Sequence, residues 1–379
     1  MKKSVTCIAP INIAVIKYWG KSDESLNIPL NSSLSITLAT EDLCTETQVS
    51  FDDSLGSDEL WLNGKQEDIT LNKRIIRVLK EVRKIFFEQN NNKSFEKDIS
   101  KLPIKISSVN NFPTAAGLAS SASGYACLAK CLGKLFDLRI KLSYLARLGS
   151  GSASRSIDGG FVKWMKGNCL KGTDSVAHQI ATENHWEDLK CVILVVSNKQ
   201  KSVPSTQGMR NSVETSELLK LRVQNIVEPR LAAMEQAIKD KNFENFAALT
   251  MKDSNQLHAI CQDTYPPITP PYLNATSHKI IKLITDYNKN GIKAAYTFDA
   301  GANAFLFTLK ESLHELLATL FKYFPMEEGC INLLTEELKK IDGKSCNLDE
   351  ITPSHNAIER IILTKPGKGA TVIMSEDFS

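Results

Sequence analysis

Asn110 to Gly124 reads Asn-Asn-Phe-Pro-Thr-Ala-Ala-Gly-Leu-Ala-Ser-Ser-Ala-Ser-Gly, with almost no side-chain bulk between Pro113 and Ser121. Backbone N–H groups in such a run can close on an anion. The apolar pattern that follows, Ala122, Tyr125, Ala126, Ala129 and Leu132, predicts a helix whose positive end would add to the attraction. Ser120 and Ser121 at that helix start can cap it or donate hydroxyls to phosphate oxygens. The run is neither a Gly-x-Gly-x-x-Gly fingerprint nor a P-loop, which needs a lysine after glycine. Read alone, it is equally well a tight turn with an N-cap.

Three further clusters could do chemistry. Lys17-Tyr18-Trp19-Gly20-Lys21 sets two ammonium groups around two aromatics, which suits the wall of a phosphate pocket or a solvated basic turn. Gly149 to Ser156 is a second small-residue cluster, closing on Gly159-Gly160. Its Arg155 carries the planar fork that fits a carboxylate or phosphate with two hydrogen bonds. A flexible linker is the alternative there, but linkers seldom carry an arginine and run straight into a strand. Asp299 stands between Phe298 and Ala300-Gly301, a lone carboxylate beside small residues. An aspartate in a turn usually bonds its own backbone, so this cluster says little alone.

The elements that must position these groups follow from periodicity. Val5 to Ile16 predicts one or two strands broken at Pro10, and Leu102 to Val109 a strand leading into the Gly/Ser loop. Leu60 to Lys65 predicts a hairpin, since Asn63-Gly64 suits a type I′ turn. Ile75, Leu79, Val82 and Phe86 recur at helical spacing between Asn72 and Asn90, with Arg74 the basic side chain best placed to look into a site. Gln89 to Lys97 reads as a surface loop, Gly160 to Met165 as a strand, and Cys191 to Val196 as a central strand. Asn198 to Met209 reads as a polar loop holding Lys199, Ser205 and Thr206. Helical patterns follow at Leu218, Leu221 and Ile226, and at Leu231, Met234 and Ile238. A Pro-rich loop, Tyr265 to Tyr272, precedes a helix from Ser277 to Asn290 that Gly291 stops. Asp299 ends one strand, Ala304 to Leu309 forms the next, Ser312 to Phe321 a helix, and Arg360 to Thr364 the closing strand.

Composition bounds the function. The chain has 379 residues, 42% hydrophobic and 23% charged, enough for two domains of an ordinary globular kind. A net charge of +3 is too small to argue for nucleic acid. The apolar runs stay below membrane-spanning length, and the start lacks the apolar core of a signal peptide. The nine cysteines contain no Cys-x-x-Cys pair and suggest reduced thiols in a cytoplasmic compartment. Cys127 and Cys131, one helical turn apart, read as core residues rather than a metal pair. The six histidines show no metal-ligand spacing, so no structural zinc is expected.

Ala9 to Lys21, Asn111 to Ala122, Gly149 to Gly160, Ser205 to Met209 and Tyr296 to Asn303, in that order, resemble the mevalonate diphosphate decarboxylase family of the GHMP kinase superfamily. These motifs span nearly the whole chain. The resemblance implies an α+β fold: a ribosomal-S5-like N-terminal domain, residues 1–190, and a ferredoxin-like C-terminal domain, residues 191–379, with the active site between them. It implies ATP-dependent decarboxylation of mevalonate 5-diphosphate to isopentenyl diphosphate, ADP, phosphate and carbon dioxide. Asp299 would orient or deprotonate the 3-hydroxyl, Arg155 hold the C1 carboxylate, and Lys17 stabilise charge at the transferring phosphoryl. Tyr18, Trp19, Lys21, Ser150, Ser152, Arg155, Ser205 and Met209 would line the substrate pocket. Ala116, Gly117, Leu118, Ala119, Ser120 and Ser121 would wrap the ATP phosphates, with Mg²⁺ carried by ATP and Ser121 as the protein group nearest to it. Ser108 and Asn110 would reach the adenosine. A homodimer is implied, with no nucleic acid and no membrane.

One residue departs from the family pattern: Asp158 stands before the double glycine where an aromatic or aliphatic side chain is expected. In kinase relatives an acidic base precedes that double glycine, and Ser152 falls near its place here. A same-fold rival is a kinase that stops at a phosphorylated alcohol, distinguished by the lack of carbon dioxide release. A nucleotide- or RNA-binding module is the rival of another class, and the near-neutral charge weighs against it.

Overall fold

The structure, a computed structural model of the chain, describes residues 2–90, 101–112, 120–196, 202–326, 344–348 and 351–378. A six-stranded sheet runs in the order Thr371–Phe378, Lys2–Pro10, Cys44–Asp52, Ile104–Asn110, Glu59–Leu62, Lys65–Glu67. Its members pair antiparallel except Glu59–Leu62 with Ile104–Asn110, which are parallel. The Asn63-Gly64 turn has both residues at positive φ, 49° and 80°, as a type I′ turn requires. Alternate residues Val5, Cys7, Val49, Phe51, Ile104 and Ile106 form one buried face, which packs on the helices Lys73–Gln89, Ser120–Leu135 and Leu142–Gly149. Cys127 and Cys131 belong to that interface: their thiols donate to the carbonyls of Cys7 and Thr47 at 3.0 and 3.1 Å.

A four-stranded sheet, Ala177–Ala181, Phe161–Trp164, Ser33–Thr37, Asn12–Ile16, leads from its edge strand into the Lys17 to Lys21 cluster. A third sheet, all antiparallel, runs Ala294–Phe298, Ala304–Leu309, Leu189–Val195, Arg360–Thr364. Cys191, Ile193 and Val195 face one apolar cluster and Val192, Leu194 and Val196 another. A strand buried on both faces has no reason to alternate, which accounts for the unbroken run Cys191 to Val196. The helices Val227–Lys239 and Phe243–Asp263 contribute Leu231, Met234 and Phe246 to a cluster that also holds Ile13, Val15, Leu34 and Ile36 of the second sheet and Phe305 and Phe307 of the third. Helices Ala275–Tyr287 and Lys310–Tyr323 cover the other face of the third sheet.

Several expectations need correction. The segment expected as a polar loop up to Met209 is already helical from Ser205, in Ser205–Thr215. Its sequence conceals this because the first turns are polar, and only Gly208, Met209 and Ser212 are buried. Arg360–Thr364 is not the closing strand. Thr371–Phe378 follows it and returns to the edge of the first sheet, where half-exposed Ile373 and Met374 blur the alternation. The helical pattern through Ile226 is interrupted by a π-helical turn, Arg222–Ile226. Most of the loop expected from Gln89 to Lys97 lies outside the described residues.

Candidate active site

Asn12–Ile16 ends at Lys17, whose Nζ lies 2.7 Å from Oδ1 of Asp299, across 282 positions of sequence. Asp299 follows the strand Ala294–Phe298 directly, and the small residues after it turn the chain, Gly301 N–H donating to the Asp299 carbonyl at 2.8 Å. The carboxylate is therefore free of the turn's backbone bond and reaches the lysine. The Lys17 side chain is 2% exposed and that of Asp299 40%, so the ammonium is enclosed while the carboxylate stays open to a ligand. Burial pushes the Lys17 ammonium below the ordinary lysine range, and the charges of Asp299 and Asp253 oppose that push.

Arg155 sits on a tight 3-10 turn, Gly151–Ser156, and is almost wholly buried. Its Nη1 donates to Ser33 Oγ at 2.8 Å and its Nε to Asn12 Oδ1 at 3.3 Å. Asn12 is in turn fixed by donating to the Ser152 carbonyl at 3.0 Å and to Ser156 Oγ at 2.7 Å. Among the described residues these bonds use two of the five guanidinium N–H groups, and the rest can meet an anion. Burial draws the guanidinium down to about 10, with Asp299 and then Tyr18 acting against it. Tyr18 packs edge-on against Trp164 at 4.9 Å, and its buried hydroxyl has no hydrogen-bond partner among the described residues. A buried hydroxyl left in that state is costly unless a ligand or water meets it.

A line of hydroxyls joins this turn to the helix Ser120–Leu135: Ser121 Oγ lies 3.4 Å from Ser150 Oγ, which lies 3.3 Å from Ser152 Oγ. Gly149 makes the approach possible, since a Cβ there would stand 2.0 Å from the Tyr125 ring. Asn110 accepts from Thr45 Oγ1 at 2.7 Å, and that same hydroxyl is 2.6 Å from Ser123 Oγ, tying the strand end to the helix. Ser108 pairs with Thr47 at 2.9 Å. Ala116, Gly117, Leu118 and Ala119 lie outside the described residues, as do the Ser120 side chain and Lys199.

Lys21 opens a second pocket of about 300 Å³, lined with Glu24, Thr206, Met209, Arg210, Val213 and Glu214. Its ammonium donates to Asn27 Oδ1 at 2.7 Å. Burial pushes Lys21 down to about 8, and the nearby Arg74 charge pushes the same way. Arg74 donates to Thr206 Oγ1 at 3.2 Å from the helix Lys73–Gln89. Arg210 forms a two-pronged pair with Glu24 at 2.8 and 2.6 Å. Ser205 begins the helix that carries Thr206, Met209 and Arg210. Trp19 does not open into the pocket: it is 3% exposed, donates to Ser212 Oγ at 3.0 Å and backs the wall beside Met209 and Tyr272.

The structure thus brings together Lys17, Asp299, Arg155, Tyr18 and the serine line, with Lys21, Arg74, Thr206 and Met209 adjoining. Sequence reasoning did not single out Asn12, Asp253 or Arg222. For Asp253 a signal existed, because it falls on the apolar stripe Phe246, Thr250, Leu257, Ile260 of its helix, where an unpaired carboxylate would be untenable. Asp158, the odd residue before the double glycine, contributes its carbonyl to Thr37 Oγ1 at 2.9 Å.

Two family models match the chain: diphosphomevalonate decarboxylase-like N-terminal domain over residues 9–177, and mevalonate 5-diphosphate decarboxylase C-terminal domain over residues 191–373. The diphosphomevalonate decarboxylase of Danio rerio is 47% identical, covering 97% of this chain and 92% of that one. The solved mevalonate diphosphate decarboxylase of Trypanosoma brucei superposes with a TM-score of 0.89 at 39% identity, covering 98% of each chain. A structure of MDDEF in complex with MVAPP, AMPPCP and magnesium superposes with a TM-score of 0.77 at 31% identity, covering 98% of this chain and 99% of that one.

Proposed function

Because the chain belongs to the mevalonate diphosphate decarboxylase family and has its GHMP kinase fold, we propose that the cleft around Lys17, Asp299 and Arg155 is where its reaction takes place. That reaction is the ATP-dependent decarboxylation of mevalonate 5-diphosphate to isopentenyl diphosphate, with ADP, phosphate and carbon dioxide released. A tertiary hydroxide leaves badly, so the 3-hydroxyl is first phosphorylated. The electron pair of the C1–C2 bond then forms the double bond as phosphate departs from C3 and C1 leaves as carbon dioxide.

The single observation that carries the site assignment is the contact of 2.7 Å between Lys17 and Asp299. Asp299, the exposed partner, accepts the proton of the 3-hydroxyl. Lys17, the enclosed partner, holds positive charge where negative charge gathers on the phosphoryl group. Arg155 holds the C1 carboxylate with the N–H groups that Ser33 and Asn12 do not take. Tyr18 meets a substrate oxygen with its buried hydroxyl. Lys21, Arg74, Ser205, Thr206 and Met209 form the seat of the diphosphate: Lys21, Thr206 and Met209 line one small pocket, and Arg74 donates to Thr206 from beside it. Ser150 and Ser152 line the passage from there to the nucleotide, and Trp19 supports the wall.

ATP, as the second substrate, belongs at the loop from Ala116 to Ser121, with Ser108 and Asn110 on its nucleoside side. Among the described residues no group of three or more His, Cys, Asp or Glu side chains could hold a metal. Phosphate oxygens and waters would supply ligands to a magnesium ion, and the Ser121 hydroxyl is a hard donor that would fit among them. When bound, the ion neutralises charge on the transferring phosphates.

We read residues 1–190 and 191–379 as the two domains, with the last strand returning to the first. Free cysteines throughout the described residues support a cytoplasmic enzyme, and the reaction supports a place in isoprenoid and sterol synthesis. The family likeness supports a homodimer. No described helix is long and apolar enough to cross a membrane.

Asp299→Asn tests the assignment. It removes the proton acceptor, so turnover measured as carbon dioxide release should fall roughly 10²- to 10⁴-fold with the substrate KM little changed. Turnover within threefold of the parent would rule out the role given to Asp299.

A further inference from the structure

Asp253 is fully buried in the helix Phe243–Asp263, where two arginines meet its carboxyl group. Its Oδ1 accepts the backbone N–H of Lys17 at 2.7 Å and Arg222 Nη2 at 2.9 Å. Its Oδ2 accepts Arg222 Nη1 at 2.8 Å and Arg230 Nη1 at 2.7 Å. Arg222 Nη2 also donates to the Lys17 carbonyl at 3.0 Å. The main chain of Lys17 is thus held at its N–H by the carboxylate and at its carbonyl by the guanidinium paired with that carboxylate. Arg222 begins the π-helical turn Arg222–Ile226, a rare local geometry that is frequent at functional sites. Buried ion clusters add little net stability, because desolvation offsets the Coulomb attraction. What this cluster does supply is a fixed origin for the Lys17 side chain.

We propose that Asp253, clamped by Arg222 and Arg230, is a positioning residue that fixes the Lys17 main chain so that its ammonium meets Asp299. The inference rests on the role given to Lys17 above. Besides Asp253, Asp299 and Arg155 act on the Lys17 charge, Arg222 donates to its carbonyl, and His258 feels its charge in turn. The two carboxylates favour the ammonium and Arg155 disfavours it. His258 is drawn down to about 4 by burial and then by Lys17, so it is neutral at working pH and does not compete. Arg230 donates to Asp253 Oδ2 at 2.7 Å, and a positive charge against that carboxylate offsets part of the attraction it exerts on other cations.

Asp253→Asn keeps the shape and one acceptor while removing the charge. Turnover per folded molecule should fall about 10²-fold, the scale of misplacing a catalytic group by about 1 Å, with KM within about threefold. The basic limb of the turnover–pH profile should also move to lower pH, because Lys17 has lost one of the charges that hold its proton. A merely structural role would lower the folded fraction and leave turnover per folded molecule and the limb in place, and that result overturns the proposal. Arg230→Gln should move the limb the other way, to higher pH. If Asp253→Asn does not fold, an unmoved limb in Arg230→Gln overturns the proposal and a raised one sustains it. Lys17→Met separates this inference from the reading it rests on. Activity retained in Lys17→Met sinks the site assignment, whereas an inactive Lys17→Met beside a parent-like Asp253→Asn sinks only the positioning role.

Discussion

Arg155→Lys is the substitution whose cost the geometry sets most directly. The guanidinium spends two N–H groups on the protein, Nη1 to Ser33 at 2.8 Å and Nε to Asn12 at 3.3 Å, and keeps three for a ligand. A lysine keeps the charge but gathers its three N–H groups on one atom. That atom cannot satisfy Ser33, Asn12 and both oxygens of a carboxylate together, so at least one charge-assisted bond is lost. Such a bond is worth about 1.5–3 kcal/mol, which at about 1.4 kcal/mol per decade predicts a loss of roughly 10- to 150-fold in kcat/KM. The assay is release of labelled carbon dioxide from substrate labelled at C1, with the KM for ATP measured in parallel. Since Arg155 touches the carboxylate and not the nucleotide in this reading, the ATP KM should stay within about threefold. A variant whose kcat/KM for the diphosphate substrate stays within threefold of the parent would refute the bidentate grip.

Two other outcomes follow from named geometry. Lys21, drawn down to about 8 by burial, loses its proton as the pH rises through that value, and only the ammonium attracts a diphosphate. The kcat/KM of the substrate should therefore fall above about pH 8 rather than below it, and Lys21→Arg should push that limb upward; a flat profile to pH 9 in the parent would contradict the placement. Gly160→Ala should destabilise the fold by about 2 kcal/mol or more, because its φ is +69° and a Cβ would lie 2.4 Å from the Ala181 carbonyl oxygen. An unchanged urea midpoint would show that the backbone there relaxes.

The chemistry-bearing segments were legible because each was short, local and unusual in composition. Asp299 could be named as a carboxylate at a strand end, and Arg155 as an arginine in a run of small residues, before any coordinates. The unbroken run Cys191 to Val196 likewise announced a strand buried on both sides. Elements with half-polar faces were harder to read. The start of Ser205–Thr215, as far as Met209, passed for a loop and Thr371–Phe378 went unseen, because exposure removes the pressure that makes a pattern regular.

Residue types and local spacing, then, determined by themselves a run of small residues before a helix, two basic clusters and a lone carboxylate, since composition and helical or strand period are properties of neighbouring residues. Only the tertiary structure decided that Lys17 and Asp299, 282 positions apart, form one pair, and that Asn12 holds Arg155 while Asp253 and Arg222 hold Lys17. Contacts of that range depend on how three sheets and two intervening helices pack, and no local period in the chain encodes which buried charge will meet which.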